Sequence, residues 1–227
     1  KKILFISPSY RAKLLEKLRV LAIPPLNLAI LAASTPEKYD VVIVDEAVED
    51  IDFNAAVDLV AITCMTPLAP RAYEISARFR ALGVPVVMGG IHVSMAPEEA
   101  SRYADSIVIG EGEAVWQRLL EDFDDGKMQA RYTASALPDI ENLPAPRREL
   151  LRGKYFVQTM QTSRGCPYDC NFCSVTLFNG GKQRFRNLDK VAEEAAALKD
   201  KRFFIIDDNV IGAGTKSFSR AFDLFDR

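Results

Sequence analysis

The 227 residues are 48% hydrophobic and carry 29 basic and 31 acidic side chains, for a formal net charge of −2; this suits a globular chain with a substantial core and more than one compact unit. The charges are interspersed rather than blocked, which argues against nucleic acid or an anionic membrane as partner. No apolar run approaches the roughly 20 residues of a membrane span, and Lys1-Lys2 leads into a short strand-like run instead of the apolar core of a secretory leader, so neither a transmembrane segment nor a leader is expected.

Residues 1–130 alternate short β-branched runs with helical patterns, the signature of a parallel sheet covered on both faces. The expectation is a doubly wound, flavodoxin/Rossmann-like α/β domain with five strands at 3–7, 41–44, 59–63, 84–89 and 106–110. Leu14, Leu15, Leu18 and Leu21 have helical spacing, and Pro25 suits the first turn of a second helix through Leu26, Ala29, Ile30 and Ala33. Further on, Ala72, Ile75, Phe79 and Leu82 stripe a helix that stops at Gly83, and Val115, Trp116, Leu119, Leu120 and Phe123 stripe another.

Ligands of such sheets bind outside the carboxyl ends of the strands. Ser7-Pro8-Ser9-Tyr10-Arg11 follows the first strand without a glycine, which rejects a dinucleotide fingerprint. Asp45-Glu46 after the second strand read as solvated loop carboxylates. Thr63-Cys64-Met65-Thr66 follow the third, with Cys64 read as a small buried hydrophobe. Gly89-Gly90-Ile91-His92 and Gly110-Glu111-Gly112-Glu113 follow the fourth and fifth. These two glycine-bearing mouths suit either a large flat ligand against bare backbone or simple chain reversal. His92, the one histidine, reads as a loop or helix-start residue before Pro97-Glu98-Glu99 rather than as a metal ligand or base.

Periodicity fades over 131–153, where Pro138, Pro144 and Pro146 indicate a linker. A second unit is expected from 154. A strand over Tyr155, Phe156, Val157 and Met160 leads through Thr162-Ser163-Arg164-Gly165 into Cys166-Pro-Tyr-Asp-Cys170-Asn-Phe-Cys173, which holds three of the four cysteines. Thiolates select iron–sulfur clusters, zinc or Cu(I). Three ligands are one short of a closed tetrahedral zinc site or a fully cysteine-ligated four-iron cluster, which leaves one metal position for something other than protein. The solitary Cys64 and the close spacing of the others do not form a disulfide framework, so a reducing, cytoplasmic compartment is expected.

A basic, glycine-containing loop, 179–186, follows the cysteines. Then come a helix marked by Leu188, Val191, Ala195 and Leu198, a strand over 203–206 ending in Asp207-Asp208-Asn209, and a helix striped by Phe218, Phe222 and Phe225. Two βα units fall far short of the roughly 250 residues of a βα barrel; the expectation is the opening part of such a barrel, with the remainder outside this sequence.

The x3, x2 cysteine spacing, the aromatic Phe172 before the last cysteine and the position after the first strand of a βα unit resemble the radical S-adenosylmethionine (radical SAM) superfamily. The preceding α/β domain and the Leu-Pro-Ala-Pro-Arg-Arg linker resemble its cobalamin (B12)-binding-domain class. The resemblance implies that Cys166, Cys170 and Cys173 bind three irons of a [4Fe-4S] cluster and that SAM chelates the fourth. A reducing electron then cleaves SAM to methionine and a 5′-deoxyadenosyl radical. It implies Phe172 near the adenine and the Asp207-Asp208 strand end near the methionine ammonium, where this chain departs from the usual Gly-Gly-Glu. Arg184 or Arg186 would pair with the SAM carboxylate or the substrate. Thr63, Gly89, Gly90, Gly110 and Gly112 would frame cobalamin. The Asp-x-His-x-x-Gly element of cobalt-ligating relatives is absent from the first strand loop, so cobalamin would bind without a protein imidazole or the domain would be a scaffold. The implied function is cobalamin-dependent methyl transfer or radical chemistry at an unactivated carbon of a small-molecule or lipid substrate, with flavodoxin or ferredoxin as electron donor. A cobalamin-free radical SAM oxidoreductase acting on a lipid or natural product and a non-enzymatic zinc or iron–sulfur module, with Asp169 or a residue outside this sequence as a fourth ligand, are the alternatives.

Overall fold

A computed structural model of the chain describes residues 1–10, 22–198 and 202–226. The helix expected through Leu14, Leu15, Leu18 and Leu21 lies outside the described residues. The chain forms two compact units, Lys1–Ala136 with Pro146–Phe156, and Leu137–Ala145 with Val157–Arg227.

In the first unit all strands are parallel: β1 Lys2–Ser7, β2 Asp40–Asp45, β3 Leu59–Thr63, β4 Val86–Gly89, β5 Ser106–Ile109 and β6 Arg131–Thr133, in the order β2-β1-β3-β4-β5-β6. The five expected strands are present and β6 extends the sheet. Its signal was weak because only the central residue, Tyr132, is buried, so three residues leave no apolar run to read. Helices α1 Leu26–Ala33, α2 Ala69–Ala81, α3 Ile91–Met95, α4 Pro97–Ala100 and α5 Trp116–Asp124 fill the connections. Because side chains alternate across a strand, β1 feeds two cores. Ile3 and Phe5 pack with α1 and α5 residues such as Ala29 and Trp116, while Leu4 and Ile6 pack with Ile75 and Phe79 of α2. Burial on both faces explains the near-continuous apolar strands. The order reverses between β1 and β3, so the crevice at their carboxyl ends is the topological switch point.

The second unit comprises β7 Gln158–Met160, β8 Ser163–Arg164, α6 Val175–Asn179, β9 Arg184–Phe185, α7 Leu188–Ala197, β10 Phe203–Ile205 and α8 Thr215–Phe225. β7 and β10 pair in parallel, Gln158 with Phe203 and Met160 with Ile205. β8 and β9 form an antiparallel ribbon of two residues each. Asn187 caps α7, its side-chain oxygen accepting from the backbone N–H groups of Asp189 and Lys190. Residues 131–153, expected as a linker, divide into β6, a stretch that packs in the second unit and a stretch that packs back in the first. Among the described residues no helix is long and apolar enough to cross a membrane.

Candidate functional site

In the second unit the cysteines occupy the loop between β8 and α6. Cys166 and Cys173 are half-buried and Cys170 is exposed. Cys173 N–H donates to the Cys170 carbonyl at 3.0 Å, closing the last turn. Thr176 Oγ1 donates to Tyr168 O at 2.8 Å and Tyr168 O–H to Gly212 O at 3.2 Å, which ties the loop to α6 and to the segment after β10. Phe172 projects outward, 89% exposed. Among the described residues no group of three or more His, Cys, Asp or Glu side chains is arranged to hold one metal ion. Three soft thiols nonetheless fit an iron–sulfur cluster by their donor chemistry, since the ligands of such a cluster each take a separate iron and need not converge on a point.

The residues after β10 hold this loop in place. Asp207 accepts from Thr162 N–H at 2.6 Å, Thr162 Oγ1 at 2.5 Å and Ser163 Oγ at 2.7 Å. Asp208 accepts from Gly165 N–H at 2.7 Å, directly before Cys166, and from Asn179 Nδ2 at 3.4 Å. Asn209 Nδ2 donates to Cys166 Sγ at 3.4 Å. The structure thus brings Asp207 and Asp208 to the cysteine loop as its anchors. It gives the two arginines protein partners. Arg186 is 5% exposed, pairs with Glu194 at 2.8 Å and donates to the Gln161 carbonyl. Arg184 donates to the Pro138 carbonyl and to Asn179 Oδ1. The two side chains therefore brace the unit.

At the strand ends of the first unit, Thr63 Oγ1 accepts from Asn27 Nδ2 at 2.8 Å. Gly90 adopts φ +101°, and a Cβ there would stand 2.9 Å from Cys64 O and 3.2 Å from Thr63 Oγ1, so no side chain fits. Gly110, at φ +84°, has open space where a side chain would go, and its N–H donates to Ser94 Oγ at 2.9 Å. Gly89 packs on Val108 and Gly112 on Leu31. The mouth over β3, β4 and β5 is therefore a cradle of bare backbone with small hydroxyls. His92 lies in the first turn of α3, buried, with Nε2 at 2.9 Å from Tyr73 Oη, which also donates to Glu99. Cys64 is fully buried, and burial pushes its thiol up to about 12. Asp45 and Glu46 are not solvated as expected: they are 3% and 2% exposed. Burial raises the Asp45 carboxyl, opposed by Ala47 N–H and Tyr155. Glu46 receives Arg71 at 2.6 Å and Ser9 N–H at 3.0 Å. The physical reason is that these partners replace water, which permits burial.

Residues 19–120 match the B12 binding domain family. The chain is 33% identical over 219 residues to bacteriochlorophyllide d C-8(2)-methyltransferase of Chlorobaculum tepidum, covering 88% of this chain and 48% of that protein. It is 30% identical to hopanoid C-2 methylase of Rhodopseudomonas palustris, covering 83% and 38%. The chain carries a B12 binding domain. A solved structure of the radical SAM methyltransferase TsrM from Kitasatospora setae, with cobalamin and a [4Fe-4S] cluster bound, shares the fold of this chain at TM-score 0.73 and 18% identity, over 99% of this chain and 50% of TsrM. The chain spans about half the length of the curated relatives it matches.

Several contacts of this chain had no signal in the sequence. Asn27, the one polar residue of α1, and Ser94, which shares the short α3 with His92, reach the mouth, and Arg220 of α8 donates to the Thr162 and Arg186 carbonyls while stacking over Phe185 at 4.5 Å. Burial lowers the Arg220 guanidinium, with Asp207 opposing. Asn209 could have been read from its place next to Asp207-Asp208, but its target could not.

Proposed function

We propose that this chain supplies the cobalamin and cluster sites of a radical SAM methyltransferase. The observation that carries the reading is the three-thiol loop laced to Asp207, Asp208 and Asn209, in a chain whose residues 19–120 match the B12 binding domain. Cys166, Cys170 and Cys173 hold the cluster. Phe172 offers its exposed ring to the adenine of SAM, and the exposed Asp208 faces the methionine ammonium, while Asp207, Arg184 and Arg186 keep the loop in shape. Thr63, Gly89, Gly90, Gly110 and Gly112 line the cobalamin cradle, where Gly90 and Gly110 take positive-φ conformations that carry no side chain of their own. When bound, these groups supply one-electron reduction and a transferable methyl group; the protein's own part is to bind, orient and shield. The curated relatives named above carry the names of a chlorophyllide and a hopanoid methylating enzyme, and the acceptor we infer is a carbon of a large, mostly apolar small molecule of that kind. Flavodoxin or ferredoxin provides the electron, within a cytoplasmic setting.

The test is anaerobic reconstitution with iron and sulfide, then loading with cobalamin. The expected result is a four-iron cluster, corrinoid absorbance and consumption of SAM after reduction. A reconstituted protein that leaves SAM intact overturns the reading. Cluster and SAM turnover without corrinoid uptake would make the first unit a scaffold and the chain part of a cobalamin-free oxidoreductase.

A further inference from the structure

We propose that Asn209 tunes the cluster: its side-chain N–H, hydrogen-bonded to the Cys166 sulfur, raises the reduction potential of the bound cluster and fixes the orientation of that ligand. This rests on the cysteines holding a cluster as read above. The contact, 3.4 Å from Nδ2 to Sγ, is of ordinary length for a donor to sulfur, and Asn209 is half-buried directly after Asp207-Asp208.

The amide can face only one way. Gly212 N–H lies 2.8 Å from Asn209 Oδ1. A backbone N–H can only donate, so the oxygen must face it and the NH2 group must face the sulfur. Asn209 is also held through its backbone, whose carbonyl accepts from Gln183 Nε2 and from Ser163 Oγ. The segment carrying the sulfur is bonded to the same strand end, since Gly165 N–H, one residue before Cys166, donates to Asp208. Donor and acceptor therefore meet because the two segments that carry them are bonded to each other on either side of the contact, through Gly165 with Asp208 and Ser163 with Asn209.

A donor on a ligating thiolate withdraws negative charge from sulfur and makes an added electron easier to accommodate. Neighbours that orient ligands in this way also set metal affinity. Asn209 is thus a positioning residue acting through Cys166, and its substitution should move a potential, which a merely structural role would not do.

The experiment uses the full-length protein, reconstituted anaerobically and titrated by EPR without substrate, as wild type, N209A and N209D. N209A removes the donor. N209D keeps the shape and an oxygen for Gly212 N–H but puts an anion beside the sulfur. The expected result is a lower potential for N209A, by about tenfold in the reduction equilibrium or about 59 mV for one electron, and a still lower one for N209D. Wild-type potentials in both variants overturn the inference, as does an N209A protein that takes up no iron where wild type does, since the residue would then serve only to fold the loop. A wild-type protein that forms no four-iron cluster removes the underlying reading instead.

Discussion

In the first unit the large aromatic and aliphatic side chains are inside: Trp116, Tyr132, Phe5 and Phe79 are each 1% exposed or less. In the second, Thr159, Thr162, Ser163, Arg164, Asn179, Arg186 and Glu194 are buried around the cysteine loop. Apolar packing of the first kind is non-directional and tolerates small adjustments. In the polar lattice around the cysteines each bond specifies a direction, and a missing partner is costly. The first is suited to holding a scaffold shape, the second to holding a ligand set at fixed angles.

The contrast can be broken most sharply by chemistry on thiols. With its thiol pushed up to about 12 and no exposed surface, Cys64 of the iron-free protein should react with iodoacetamide at pH 8 at least about a thousandfold more slowly than the exposed Cys170. Peptide mass spectrometry over a time course reads this, and comparable rates would mean that the first unit is not packed as described. Next, Phe79→Ala should cost about 3–5 kcal/mol in the urea transition of the first unit, because the ring is fully buried against Phe53 at 5.1 Å between centroids.

For the second unit, Arg186→Ala should cost about 3–5 kcal/mol by leaving the Glu194 carboxylate without its guanidinium, whereas the double replacement Arg186→Met with Glu194→Leu should lie near wild type. If the single and double variants unfold together, the lattice is not directional in the sense argued. Gly90→Ala is expected to cost about 1–3 kcal/mol, since φ +101° is strained for any side chain, and to weaken corrinoid retention on gel filtration. The smallest effect concerns Asp124, which accepts from Lys1, Lys38 and Tyr39 and is held well below the usual carboxylate range, first by Lys1. A depressed acid adds stability above its unfolded value, about pH 4, and loses it as pH falls through the folded value. The difference in melting temperature between wild type and Asp124→Asn should therefore be small at pH 7, because the lysines are exposed, and should shrink below pH 4.

The same contrast explains what could be read in advance. Strands buried on both faces announce themselves as apolar runs, so β1 to β5 were legible, as were the stripes of α2 and α5. The cysteine motif was equally plain, being a matter of spacing. What escaped was set by partners distant in sequence. Asp45 and Glu46 looked solvated because Tyr155 and Arg71 could not be foreseen beside them. Arg186 looked available for a ligand because Glu194 lies on the next helix. β8 and β9 are too short for a period, and they exist because Ser163 and Phe185 pair across a long loop.

The path of the chain between units has a consequence for synthesis. The polypeptide leaves the first unit at Ala136, contributes Leu137–Ala145 to the second, and returns for Pro146–Phe156 before departing again. On the return, Arg147 N–H donates to the Ala29 carbonyl at 3.0 Å and Tyr155 bonds Asp45. A growing chain emerging at about 5–20 residues per second can assemble the sheet early, but its closing segment arrives only after part of the other unit has been made. The two units alternate along the chain, and no single cut assigns every residue to its own unit.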